Sequence, residues 1–286
     1  MTVMTRSLLS AWRSHGTLGL IQSARDRFTG TRSSLAEEAL AAVDGAKGLE
    51  IGGPSGRFRR HGMLPLYPAL NVLDNVNYSA QTLWGETLEE GTPYAPEATP
   101  LGVQFLREAT DLDGIQEHAY DVILSSHCLE HIANPLRALR EWQRVCRPEG
   151  HLCLIVPHRD GTFDRKRPIT PIGHYRSDDQ HNVSEDDDTH FGEVIRYHDL
   201  HRDPGVHSAQ EFMRRVADNR TVRGVHHHVF DLRGAVLLIS EAGWTPTAAE
   251  ARRPYDILVI AQNSTASSAG YDLRSILRGS PFRSDR

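Results

Sequence analysis

Short apolar runs alternate with stretches of helical spacing along most of the chain. Five runs are predicted as buried strands because apolar residues dominate them and turn residues bound them. They cover residues 47–51, 70–74, 102–106, 120–126 and 151–156. Between the last two runs, residues 134–147 carry apolar side chains at helical spacing, and Pro148-Glu149-Gly150 stops this helix. Strands joined by helices in this order predict an α/β fold with a parallel sheet and right-handed crossovers.

The ends of the chain divide it into three parts. Residues 1–44 are predicted to form a helical segment that acts as a lid or a packing layer, and residues 45–263 form the main domain. Near the end of that domain the pattern predicts a helix at 232–242, a sixth strand at 245–252 and a last strand at 256–261. Residues 264–286 are rich in Ser, Gly and Arg, which predicts a flexible tail.

Composition narrows the class of protein. With 286 residues, 39% hydrophobic and 24% charged, the chain can bury one large core. A formal net charge of -5 argues against a general nucleic-acid binder, which would present a basic surface. The three cysteines lack metal-ligand spacing and are too few for a disulfide framework, so we expect a reducing cytoplasm. No apolar run reaches membrane-spanning length, and homo-oligomerisation is left open.

The richest turn signal follows the first strand. Glu50-Ile51 leads into Gly52-Gly53-Pro54-Ser55-Gly56, a sequence that neither a helix nor a strand interior accepts. A strand that ends in such a turn leaves backbone N–H groups able to meet a ligand at the sheet edge where open α/β sheets bind ligands. Asp74 follows the glycines by about 20 residues, the spacing at which an acid typically binds ribose hydroxyls. An Asp that simply begins a turn is an equally good interpretation of this residue.

Four motifs together resemble one family. Residues 50–56, the acid at 74, Tyr120–Pro135 and Arg144–Leu152 are similar to the motifs of class I S-adenosylmethionine-dependent methyltransferases in order and spacing. The resemblance implies a Rossmann-like seven-stranded sheet whose last strand is antiparallel, and S-adenosylmethionine as cofactor. It also implies cofactor contacts, which are the turn residues Glu50, Gly52, Gly53, Pro54, Ser55 and Gly56, then Asp74 on the ribose, Asp111 and Leu112 beside the adenine, and Ser126 and His127 near the sulfonium.

A dinucleotide-dependent dehydrogenase is the rival for a glycine turn of this kind. It would carry Gly-x-Gly-x-x-Gly, so that a pyrophosphate can approach the helix that follows. Here a carboxylate, Glu50, precedes the first glycine. That charge would repel a pyrophosphate but suits a cofactor with an amino group and a sulfonium, so the sequence favours methyl transfer.

Residues 158–231 form a large His- and Asp-rich insertion between the fifth and sixth predicted strands. Ten of the 16 histidines lie from His158 to His228. Residues 156–174, 189–193 and 226–231 are similar to a branch of methyltransferases found among polysaccharide and glycan biosynthesis enzymes, which implies a small-molecule or oligosaccharide acceptor methylated at a hydroxyl. Two alternatives stay open, a methyltransferase acting on nitrogen or a carboxylate of a non-sugar molecule, and a non-catalytic protein that binds the cofactor.

Transfer to a sugar hydroxyl needs a base, for which an imidazole is suited. His158, directly after the fifth strand, is the first candidate, and a hydrogen-bonding pocket role explains it equally well. His127 is the second candidate, and a hydrogen-bonding pocket role explains it better. The predicted acceptor contacts are His158, Arg159, His190, His226 and His228. The basic residues Arg159, Arg165, Lys166 and Arg167 could hold an anionic acceptor, but a surface patch explains them better.

A divalent metal is the other way to activate a hydroxyl. Asp188, His190 and Glu193 are the candidate ligands for Mg²⁺, although an acidic run such as 185–188 is usually a solvated loop. Zinc is less favoured because the cysteines lie elsewhere.

Overall fold

The computed structural model describes residues 32–82, 87–97, 100–203, 205–264 and 279–285. Within these ranges eight strands form one mixed sheet in the order β3-β4-β2-β1-β5-β6-β8-β7. The strands are β1 Lys47–Ile51, β2 Val72–Asn77, β3 Pro93–Tyr94, β4 Gly102–Leu106, β5 Tyr120–Ser126, β6 Cys146–Pro157, β7 Thr245–Arg252 and β8 Asp256–Gln262.

The strand directions confirm the predicted mixed α/β sheet and correct the strand count. Strands β4, β2, β1, β5 and β6 are parallel neighbours, and β8 runs antiparallel to both β6 and β7. The additional strand is β3, whose two residues pair antiparallel with β4 at the edge of the sheet. A pair of residues that begins with proline carries no alternating apolar pattern, so the sequence did not indicate it.

Seven α-helices lie in the described part of the chain. They are α1 Ala36–Val43, α2 Pro135–Val145, α3 Ile172–Gln180, α4 Phe191–Tyr197, α5 Ala209–Ala217, α6 Asn219–Val222 and α7 Leu232–Glu241. Of the predicted N-terminal helical segment, residues 1–31 lie outside the described residues. Within the described ranges, no helix combines the length and apolar character needed to cross a bilayer.

Both faces of the sheet are covered, which is why the central strands are apolar throughout. On β5, Val122 and Leu124 join the cluster that contains Val43 of α1, while Ile123 joins the cluster that contains Trp142 of α2. Helix α2 begins where the Asn134 side chain accepts a hydrogen bond from the Arg137 N–H. The strand ends are therefore held in place by helices on two sides.

Residues 158–231 contain α3 to α6 and a small apolar core of their own. Val194, Val206 and Phe212 belong to this core, which is separate from the two that flank the sheet. Arg167 is only 2% exposed. Its guanidinium donates to Asp164 at 2.9 Å, to Glu193 at 2.8 Å and to the His226 carbonyl at 2.8 Å. A buried cation with this many acceptors holds distant parts of residues 158–231 together.

The expectation of a flexible tail does not hold for residues 279–285. Phe282 is 4% exposed and stacks on the His158 ring, with the ring centroids 3.8 Å apart. The Asp285 carboxylate accepts a hydrogen bond from the Leu232 N–H at 3.0 Å, at the start of α7. One aromatic side chain and one carboxylate are enough to attach a stretch that is otherwise polar.

Truncating the aromatic side chain of this stretch should therefore destabilise the fold. We expect Phe282→Ala to lower the free energy of unfolding by about 3 kcal/mol, the low end for Phe→Ala in a core. Urea unfolding measures the change, with Met213→Ala, 46% exposed in α5, as the control. Equal unfolding free energies for the two variants would contradict the packing of residues 279–285.

Candidate functional site

A cavity of about 990 Å³ opens at the carboxyl ends of the parallel strands. This is the edge where open α/β sheets bind ligands, and the volume is at the upper end for ligand pockets. Its walls come from the glycine turn 52–57, the ends of β2, β4, β5 and β6, and parts of residues 158–231. The side chains that line the cavity include polar and aromatic ones, namely Asn77, Glu108, Ser126, His127, Glu130, Thr162, Phe163, Glu185, Arg223, His226 and Tyr255.

The glycine turn forms one wall of this cavity, as the sequence predicts, and Gly52 through Gly56 all line it. Gly52 has φ +81°, and a Cβ at this position would lie 2.8 Å from the Cys128 sulfur. A Cβ on Gly53 would lie 2.3 Å from the Glu50 carboxyl carbon, whereas one on Gly56 would meet nothing within 4 Å. The first two glycines therefore allow close packing beneath the turn, and the third leaves the cavity side open.

Glu50 lies beneath the turn and not on the cavity surface. It is fully buried, and it accepts hydrogen bonds from the Tyr67 hydroxyl at 2.8 Å, the Tyr94 hydroxyl at 2.7 Å and the Ser55 N–H at 3.1 Å. Burial raises the pKa of Glu50 to about 7 despite these three donors. Glu50 is therefore placed to act on the cofactor indirectly, by holding in position the glycine turn that lines the cavity.

Asp74 does not reach the cavity, which corrects the ribose prediction. Strand β2 continues for three residues beyond it, and its carboxylate accepts from the Tyr120 hydroxyl at 2.9 Å and the Val103 N–H at 2.8 Å. The residue at the strand's carboxyl end is Asn77, which lines the cavity and donates to the Gly53 carbonyl at 3.0 Å. The sequence did not indicate Asn77, because the apolar run that predicted this strand ends at residue 74.

Asp111 and Leu112, the predicted adenine contacts, do not line the cavity. Leu112 is fully buried in the core and donates its N–H to Glu141, and Asp111 is exposed outside the cavity. The residues that line the cavity after β4 are Arg107, Glu108 and Ala109. An acid two residues past a strand end is the signal that would have identified Glu108.

Ser126 and His127 line the cavity, and their predicted contact with the cofactor near its sulfonium stays a prediction. His127 has φ +52°, and its Nε2 lies 2.9 Å from Asp256 while its Nδ1 lies 3.6 Å from Glu130. Burial lowers its pKa, but the hydrogen bonds with Asp256 and Glu130 outweigh burial and raise the pKa to about 9. A pKa raised in this way favours the protonated imidazole at neutral pH, which is unsuited to the predicted role as base.

Glu130 is a cavity residue that the sequence analysis missed. Its side chain is 1% exposed, and its Oε2 has no hydrogen-bond partner among the described residues. Burial raises its pKa, yet the hydrogen bond with His127 and the nearby histidines lower it more, so the group remains a carboxylate. A buried carboxylate oxygen without a partner in the cavity wall fits a cationic or amino group of a ligand.

His158, the first candidate for the base, lies outside the cavity wall. It is fully buried beneath Phe282. Its Nδ1 accepts from the Asp160 N–H at 3.1 Å, so the proton is on Nε2, which donates to Asp285 at 3.1 Å. Both nitrogens are occupied and no acceptor can reach them, because Phe282, from the stretch predicted to be a flexible tail, covers the ring.

Of the five predicted acceptor residues, the structure places only His226 at the cavity. Its Nδ1 lies 2.5 Å from an oxygen of Asp164, which Arg167 binds in turn. His158 is buried as described, Arg159 pairs with Asp160, and His190 and His228 lie together outside the cavity wall. The other basic residues of the predicted patch are also paired, since Arg165 and Lys166 contact Asp199.

The candidate Mg²⁺ ligands do not meet. Asp188 is exposed, and Glu193 binds Arg167 at 2.8 Å. Only His190 of the three belongs to a group of side chains close enough to share an ion among the described residues. Within the acidic run, Asp186 and Asp188 are exposed, whereas Glu185 lines the cavity and the Asp187 side chain is 12% exposed.

Comparison with known proteins decides the family. A model described as a methyltransferase domain matches residues 23–247 of the chain. The chain belongs to this methyltransferase family. It is an enzyme, and S-adenosylmethionine is its methyl donor. A search of curated proteins found no match.

Solved methyltransferases resemble this methyltransferase at low identity. An S-adenosylmethionine-dependent methyltransferase from Mesorhizobium loti is 15% identical, with 79% of this chain and 95% of that chain covered and a TM-score of 0.44. One from Methanosarcina mazei is 14% identical, with 80% and 97% covered and a TM-score of 0.43. The trans-methyltransferase CalH, in a complex with SAH, is 14% identical, with 89% and 61% covered and a TM-score of 0.48.

The raised pKa of Glu50 predicts an unusual pH dependence of stability. Because folding favours the protonated acid, this contribution is complete below pH 4.5 and is lost as pH rises through about 7. We expect Glu50→Gln, which cannot ionise, to gain about 3 kcal/mol of unfolding free energy relative to wild type over that interval. Urea unfolding at a series of pH values measures the difference.

Glu37→Gln in α1 is the matched control, since Glu37 is exposed. Its difference from wild type should stay flat over the same pH range. A flat difference for Glu50→Gln as well would show that Glu50 is not protonated by burial.

Proposed function

We propose that this methyltransferase transfers the methyl group to a hydroxyl of a saccharide or of a sugar-containing metabolite. The observation that carries the proposal is the His226–Asp164 pair at the cavity wall. Methylation of a sugar hydroxyl needs a base, and an imidazole that a carboxylate contacts through one ring nitrogen is suited to that role. The wall around them comes from residues 158–231.

The cofactor would occupy the wall built by the strand ends. Gly52 to Gly56 and Asn77 would hold its amino-acid and ribose parts, and Glu108 would border the adenine. Glu130, whose Oε2 has no partner among the described side chains, would offset the positive charge of the donor. S-adenosylmethionine supplies an electrophilic methyl group on sulfur when it is bound there.

His226 is better placed as base than either histidine predicted from the sequence. Its Nδ1 contacts the Asp164 carboxylate, so Nε2 is the nitrogen that can accept a proton. When the acceptor oxygen takes the methyl group and the bond from sulfur to that methyl breaks, the hydroxyl proton would pass to Nε2, and Asp164 would stabilise the imidazolium that forms. Arg167 fixes Asp164 through a 2.9 Å hydrogen bond, which keeps the pair oriented.

The chemistry of the acceptor wall favours a polyhydroxylated ligand over an apolar one. Thr162, Glu185 and Arg223 supply hydroxyl, carboxylate and guanidinium groups to the cavity. Phe163 and Tyr255 add two aromatic side chains to the same region. Small numbers of polar groups beside aromatic faces are suited to orienting a ring that carries several hydroxyls. A non-sugar aromatic acceptor would be expected to meet a more apolar wall.

A screen of sugar and oligosaccharide acceptors with radiolabelled S-adenosylmethionine tests the proposal. Label transferred to a sugar hydroxyl, resistant to mild base, supports it. Label found only on carboxylates or amines, with no sugar modified, would favour the non-sugar alternative. Running each reaction with and without a chelator separates a role for a metal from one for His226.

Cofactor contacts can be tested by comparing two residues of β2. We expect Asn77→Ala to weaken S-adenosylhomocysteine binding about tenfold, since it removes a hydrogen-bonding group from the cavity wall. Asp74→Asn, which lies behind the wall, should change the Kd less than about twofold. Calorimetry measures both. The reverse order of effects would return the ribose role to Asp74.

The base can be tested on any acceptor that the screen finds. We expect His226→Gln to lower kcat by about 100-fold or more, because general-base catalysis contributes roughly 10²–10⁴. The Kd for S-adenosylhomocysteine should stay unchanged, which separates loss of chemistry from loss of fold. His201→Gln, an exposed histidine of the same segment, is the control. A wild-type kcat for His226→Gln would refute this choice of base.

A further inference from the structure

Four metal-binding side chains converge at a place that the catalytic proposal does not use. His174 and Asp178 lie one turn apart on α3, His190 lies at the start of α4, and His228 precedes α7. Each offers a ligand atom within 4.8 Å of the others. None of the four lines the cavity, so the cluster is distinct from the site described above.

The distances between these atoms match the spacing around one small cation. Nε2 of His174 lies 3.1 Å from Nε2 of His190 and 3.4 Å from Oδ2 of Asp178, and Nε2 of His228 lies 3.7 Å from the same oxygen. Ligand atoms at about 2.0–2.1 Å from a tetrahedral ion are separated by roughly 3.3 Å. The three imidazole rings enclose the point between them, with centroid separations of 4.9, 5.3 and 5.8 Å.

Hydrogen bonding within the protein does not satisfy this cluster. Oδ2 of Asp178 is buried and has no hydrogen-bond partner within the described ranges. A proton shared between the Nε2 atoms of His174 and His190 can serve only that pair. Nε2 of His228 also lies 3.1 Å from the Ala133 carbonyl, a contact that metal binding would replace. Buried polar atoms left without partners are the usual mark of a missing ligand.

The charges around the cluster favour a divalent cation. Asp178 brings one carboxylate, whose Oδ2 lies 3.4 Å from Nε2 of His174. Asp187, 3.9 Å from Nε2 of His190, brings a second negative charge. Two carboxylates balance a doubly charged ion.

We propose that His174, Asp178, His190 and His228 bind a zinc ion that cross-links α3, α4 and the stretch before α7. Imidazole nitrogens suit zinc, whereas magnesium prefers an all-oxygen octahedral shell. Four protein ligands close the coordination sphere, as in structural zinc sites. The ion stabilises residues 158–231, and through His226 in the same stretch it positions the acceptor wall. His227, whose Nδ1 lies 3.9 Å from Asp187, belongs to the surroundings of the site.

Metal analysis of the full-length protein tests the site without any enzymatic assay. We expect about one zinc per chain after reconstitution and dialysis, and a Tm that falls on chelation, since an ion that binds the folded state stabilises it. His174→Gln should raise the Kd for zinc at least about 100-fold, because loss of even an outer partner costs 10–100-fold. His181→Gln, an exposed histidine at the end of α3, should bind zinc as wild type does.

Cobalt substitution adds a spectroscopic check that a folding defect cannot imitate. A tetrahedral visible absorption band in wild type and His181→Gln, weak in His174→Gln, supports the site. Absence of zinc after reconstitution, or equal zinc affinity in His174→Gln and wild type, would overturn it. S-adenosylhomocysteine binding measured on the same samples shows whether the cofactor site is intact, so failure of the zinc proposal is separable from failure of the proposed function.

Discussion

The buried carboxylate of Glu50 is the constraint on which the cofactor side of this methyltransferase depends. It is the next-to-last residue of β1, and it accepts hydrogen bonds from the hydroxyls of Tyr67 and Tyr94, which lie 17 and 44 positions further along the chain. The same carboxylate accepts from Ser55, so the glycine turn is fastened to the strand that precedes it. Because the turn is fixed from below, its glycines present backbone to the cavity, which lets a ligand approach closely.

At the cavity, His127 lies between two buried carboxylates, Asp256 and Glu130. Asp256 neutralises His127 and Arg57 at 2.9 and 3.1 Å, and its own carboxylate remains ionised because these cations lower its pKa against the effect of burial. Glu130, beside His127, presents a buried negative oxygen. His127 therefore serves to hold two carboxylates in a low-dielectric site, and a protonated imidazole is suited to that task and unsuited to accepting a proton.

Residues 158–231 supply part of the cavity wall, and they have a small apolar core of their own. Arg167 adds buried hydrogen bonds with Asp164, Glu193 and the His226 carbonyl, which hold distant parts of this segment together. A bound metal at the nearby histidine cluster would act in the same way. The histidine-rich composition of this segment then has two distinct explanations, one histidine at the cavity and several in the cluster.

The sequence by itself determined the sheet class, the glycine turn and the methyl-transfer family, because these are local patterns of apolar runs and turn residues. Only the tertiary structure decided which polar residues face the cavity. It moved the strand end from Asp74 to Asn77, and it covered His158 with Phe282, a residue 124 positions further along the chain. Strand registers and contacts between distant segments fix where a side chain lies, and a one-dimensional pattern does not contain them.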